Sequence, residues 1–162
     1  MAPDSEDVWA KSKRDERLIE AYVLGQVAAD ELPYSPAMDE LLKRLERSGE
    51  DADPKRVFQR LLFLRKTGRL PRMGHPASRE VGPVLTEAES DELGRIIVEA
   101  VGSLGQRDRL PYTPKFAELR QIYESRTSRR LTDREFWLAV ARRAKRGMTP
   151  DLNALDDGEG SE

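Results

Sequence analysis

Asp30–Glu46 reads DELPYSPAMDELLKRLE, and 78 positions later Asp108–Glu124 reads DRLPYTPKFAELRQIYE, with eight of 17 positions identical and no gap. Chance pairing of segments this long gives about one identity, so the repeat is read as an internal duplication. Its core, LPY-S/T-P, is a turn leading into a helix. Ser35 and Thr113 stand at N-cap positions, and Pro36 and Pro114 occupy the first helical position, where the missing N–H costs nothing. The proline also holds the cap residue in the extended conformation that a cap requires.

The register extends on both sides of this segment. Downstream Arg56 meets Arg134, Phe58 meets Phe136 and Arg65 meets Arg143; upstream Arg17 meets Arg95, Ile19 meets Ile97 and Val23 meets Val101. Apolar residues recur at spacings of three and four, as in Leu93, Ile96, Ile97, Ala100, Val101 and Leu104, and nothing alternates with period two over a useful length. Helices are therefore predicted near Arg14–Ala28, Pro36–Arg47, Pro54–Thr67, Glu87–Leu104, Pro114–Ser125 and Asp133–Arg146. Thr86-x-x-Glu89 and Thr132-x-x-Glu135 are capping boxes, Asp53 precedes Pro54 as a cap, and Gly68 and Gly147 are stops.

The fold expected is all-α: two tandem pseudo-symmetric three-helix units, helix-turn-helix-like in helix count and order. The units span 8–70 and 86–147, joined by a Pro/Gly-rich linker at 71–85 (PRMGHPASREVGP over most of it). Residues 1–7 and 148–162 are acidic and read as disordered ends.

Composition excludes several functions. The chain has no cysteine and one histidine, His75, so thiolate chemistry and His-rich metal sites are not expected. It has no GxxxxGK[ST] or GxGxxG motif, and Gly102-Ser103-Leu104-Gly105 follows a helix where a nucleophile elbow follows a strand. The reading is a non-enzyme without catalytic residues, metal or cofactor. No run of about 18 apolar residues is present, so no membrane span is expected and a cytoplasmic location is the default.

Charge is more informative. The net charge of −2 conceals a pattern: 8–42 sums to −3, 43–72 to +6, 73–114 to −3 and 115–147 to +6. The basic halves hold the third helices. Lys55, Arg56, Arg60, Lys66, Arg69 and Arg72 stand in the first unit, and Arg129, Arg130, Arg134, Arg142, Lys145 and Arg146 in the second. A basic last helix in a three-helix unit is how helix-turn-helix modules meet DNA, and arginine's fork suits phosphate and guanine edges. These twelve residues are the predicted nucleic-acid-binding set, with duplex DNA the preferred partner and a regulatory role implied. Two units in one chain would present helices as a dimer does, about 34 Å apart.

Other residues carry plainer expectations. Arg65 and Arg143 follow Phe58 and Phe136 by seven positions and are expected to run their stems along the core. Tyr34 and Tyr112 are expected to pack and lock their turns. Trp137 aligns with Gln59, which suggests an exposed or interface position, with the indole burying itself against the first unit or a partner chain. With the acidic ends, it motivates the alternative of a helical adaptor that binds another protein and no nucleic acid.

Overall fold

A computed structural model of the chain describes residues 5–73 and 82–148, with side chains from 11 to 146 within those limits. The expectations for residues 1–4, for 74–81 of the linker and for 149–162 of the tail lie outside the described residues. The described residues are all-helical and contain no strand. The α-helices are α1 (Ser5–Gly25), α2 (Pro36–Arg47), α3 (Pro54–Lys66), α4 (Glu87–Val101), α5 (Pro114–Thr127) and α6 (Asp133–Met148), with short 3-10 helices at Ala29–Glu31 and Leu104–Arg109. No described helix is long and apolar enough to cross a membrane.

The helix starts follow from local chemistry. Ser35 Oγ accepts from the Met38 N–H at 3.1 Å, and Asp53 accepts from the Arg56 N–H at 3.0 Å. Thr86 and Glu89 close a reciprocal capping box, as do Thr132 and Glu135. Each contact satisfies a donor that the first helical turn leaves unpaired. Several ends differ from the predicted ones: α1 stops at Gly25, three residues short of Ala28, and α6 runs through Gly147, expected as its stop, to Met148. α1 begins at Ser5, because no glycine or proline interrupts the chain between Pro3 and Gly25. Residues 5–7, expected in a disordered start, are thus its first turn. α4 stops at Val101 because Gly102 takes the left-handed conformation (φ 90°), which costs only glycine little, while its N–H bonds Val98 O.

The chain divides into two compact units, Met1–Val81 with Pro111–Thr113 and Gly82–Leu110 with Pro114–Glu162. In the first, Leu18 and Tyr22 of α1 close a core with Met38, Leu41, Leu45, Phe58, Leu61 and Leu64. In the second, Leu93, Ile96 and Ile97 of α4 are buried along with Phe116, Leu119, Tyr123, Phe136 and Val140. Phe136 meets Phe116 and Tyr123 edge-on, with centroids 5.2 and 5.9 Å apart, the arrangement aromatic quadrupoles favour.

The two motif tyrosines share an uncommon device. Tyr34 and Tyr112 both have left-handed backbones, φ 62° and 63°, which cost a side-chain-bearing residue about 1 kcal/mol or more. Within the first unit each phenol oxygen accepts the other's backbone N–H, at 2.8 and 2.6 Å, and the rings lie 4.6 Å apart. Paired bonds and ring contact offset the backbone cost. Tyr34→Phe or Tyr112→Phe keeps the ring and orphans one part-buried N–H, so each is expected to lower the stability of the first unit by about 1–2 kcal/mol. Denaturant unfolding measures this, and a loss below about 0.3 kcal/mol would show that the pair contributes nothing.

Candidate nucleic-acid interface

α3 turns Val57, Phe58, Leu61 and Leu64 inward, which leaves an opposite stripe of Lys55, Gln59, Phe63 and Lys66. Lys55 and Lys66 are exposed, and Phe63 is 48 % exposed, the largest apolar side chain open on this helix. Arg72 lies exposed beyond the helix end. Lys55, Lys66 and Arg72 hold no hydrogen bond or ion pair among the described residues. Arg56 is exposed and pairs loosely with Asp51 (2.9 Å) and Asp53 (3.7 Å) on the 48–53 connection. Such surface pairs give way readily to a competing phosphate, since each contributes 1 kcal/mol or less.

Two predicted residues are turned to another use. Arg60 grips Asp15 with both prongs, Nε to Oδ1 at 2.8 Å and Nη2 to Oδ2 at 2.7 Å, and its guanidinium lies 4.6 Å from the Phe63 ring centre. Arg69 reaches the same carboxylate at 3.2 Å. Asp15 itself is buried on α1. The Arg60 hydrogen bonds, opposed by burial and aided by the charges of Arg60 and Arg69, hold its carboxyl below the ordinary range. Arg60 and Arg69 are therefore first of all struts tying α3 and the segment after it to α1. The signal missed in the sequence is Asp15 itself, three residues before Leu18 on the apolar side of α1.

α6 is built differently. At the 78-residue offset the open stripe of α3 becomes Asp133, Trp137, Ala141 and Ala144, and all but Asp133 are buried. Trp137, expected at an exposed or interface position, has 0 % exposure. The correction has a simple cause: Trp137, Ala141 and Ala144 continue one apolar helix face, and the incoming chain lies on its neighbour, with a Cβ built on Gly82 falling 3.1 Å from that of Leu138. Arg129 braces the same region by donating to Val84 O at 2.6 Å and pairing with Glu89 at 3.2 Å. Glu89 and Arg129 together were not legible as a pair, being 40 residues apart. Arg130 and Arg142 stay exposed with no partner among the described residues. Lys145 and Arg146 are exposed and Arg134 is half-buried, each with an interaction.

The two core-edge arginines also differ. Arg65 pairs with Asp30 from the exposed side. Arg143 lies half-buried across α4 at Gly94, where an added Cβ would sit 3.1 Å from its Nε, so a larger residue there would push the guanidinium aside by a few tenths of an ångström.

Comparison of the chain with protein-family models, curated proteins and solved structures gives no match.

Proposed function

We propose that the chain is a non-enzymatic, regulatory nucleic-acid-binding protein that acts on duplex DNA. We also propose that its units are tandem copies of one three-helix design from an internal duplication. The observation that carries the first reading is the open stripe of α3, where Lys55 and Lys66 flank Phe63 without internal partners and Arg56 has only surface ones. Supporting the second are Tyr34 and Tyr112 with matched backbones, and buried residues at equal offset, such as Leu41 with Leu119 and Phe58 with Phe136. α3 is the element suited to a groove, while Arg130, Arg142, Lys145 and Arg146 of the second unit suit phosphates. The adaptor alternative loses Trp137 as its exposed anchor and would rest on Phe63.

A titration on duplex DNA at several salt concentrations tests the reading. Wild type is expected to lose affinity steeply with salt. Lys55→Glu/Lys66→Glu/Arg72→Glu should bind at least tenfold more weakly, with a salt slope lower by roughly 0.9 for each phosphate contact removed. A chain truncated after Gly147 loses a −5 segment that competes for the same cations and should bind more tightly. No binding at low salt, or an unaffected triple variant, ends the proposal.

A further inference from the structure

The first unit contains a cleft of about 300 Å³ between α1, the end of α2, the 48–53 connection and the start of α3. Its inner side is apolar: Leu18, Leu45 and Val57 line it and are themselves buried. Its outer side is cationic, formed by Lys11, Arg14 and Arg56, all exposed. The carboxylates that also line the cleft are already answered. Asp15 is held by Arg60 and Arg69, Glu50 is paired with Arg17, and Asp51 accepts from Arg56. Lys11 and Arg14 hold no partner among the described residues. Positive charge is thus left over at the mouth of an apolar hollow whose volume falls at the low end for small-molecule sites.

The corresponding positions of the second unit are filled and neutralised from within. At the 78-residue offset Lys11 and Arg14 become Glu89 and Glu92, which pair with Arg129 at 3.2 Å and Arg126 at 2.9 Å. Leu45 becomes Tyr123, whose larger side chain is fully buried. The second unit fills this place with bulk and pairs its charges; the first sets Asp51 at the offset of Arg129, commits it to Arg56, and leaves Lys11 and Arg14 without a partner among the described residues.

We propose that this cleft binds a small amphipathic anion: an apolar body about the size of one ring, seated on Leu18, Leu45 and Val57, with a phosphate-monoester head between Lys11, Arg14 and Arg56. A dianionic head fits best, because Lys11 and Arg14 have no internal countercharge, while Arg56 keeps Asp51 neutralised and turns its remaining donors to the head. The site needs no nucleic acid, so its test and that of the preceding reading fail separately.

The test is NMR titration of the full chain with phenyl phosphate, with inorganic phosphate and phenol as head-only and body-only probes. Phenyl phosphate is expected to saturate with a dissociation constant below about 1 mM and to shift the methyl signals of Leu18, Leu45 and Val57. Each control should bind at least tenfold more weakly. Lys11→Glu/Arg14→Glu, at exposed helix positions and with folding checked by circular dichroism, should lose at least tenfold in affinity. No saturation by about 10 mM, shifts centred elsewhere, equal binding of inorganic phosphate, or an unaffected variant would each overturn the proposal.

Discussion

Trp137→Ala is expected to unfold the second unit at ordinary temperature or bring it close to that point. The side chain has no exposed surface and lies on a face continued by the small residues Ala141 and Ala144, which cannot spread to fill the space an indole leaves. Truncating a buried tryptophan or phenylalanine costs about 3–5 kcal/mol, a large share of the stability of a small helical unit. Chemical denaturation followed by circular dichroism should show the midpoint of the second unit falling while the first is little changed. Trp137→Phe, which keeps most of the volume, should retain more than half of the lost stability. A cost below about 1 kcal/mol for the alanine would mean that the indole is not packed as described.

The second large effect concerns the charged tie of the first unit. Asp15→Leu should destabilise it by about 2–3 kcal/mol, below the 3–5 typical of broken buried pairs because the Arg60 and Arg69 side chains are 38 % and 45 % exposed and can rehydrate. Asp15→Leu/Arg60→Leu should return to within about 1 kcal/mol of wild type. The reason lies within the chain: Leu93 and Leu138 stand at the same offset positions, and Leu93 is fully buried. A double-mutant cycle reads the coupling directly, and additive losses would refute it. The pH dependence has a definite direction. The folded-state pKa of Asp15 is depressed, so its contribution is complete above the unfolded carboxyl value of about 3.9 and fades as pH falls through the lower folded value. The gap in stability between wild type and Asp15→Asn should therefore be constant above about pH 5 and close in acid.

The helices were legible because their signals are local. Ser35-Pro36, Asp53-Pro54 and the boxes at Thr86 and Thr132 act within four residues, and each lies where a helix begins. The candidate interface was legible only in part. Arg60 and Lys66 look alike in a sequence, and what separates them is Asp15, which is 45 residues from Arg60. A carboxylate on a helix otherwise rich in charge gives no sign that it faces inward. Trp137 shows the same limit: comparison with Gln59 weighed one position and left an exposed place open, whereas its burial belongs to a face shared with Ala141 and Ala144. Phe63, the exposed aromatic, gives no sign of its place in the sequence, since its neighbours Leu62 and Leu64 mask it in an apolar run.

The Asp15 tie also bears on time. It joins residues 45 and 54 positions apart, whereas the caps of Ser35 and Asp53 close within three residues and can form early. Closing the longer loop costs more chain entropy, so contacts of α1 with α3 belong to the late side of the folding barrier. An interaction made late has little influence on how fast a chain folds and much on how long it stays folded. Asp15 is thus expected to lengthen the lifetime of the first unit more than it speeds folding, guarding it against the brief openings through which proteases reach small helical proteins.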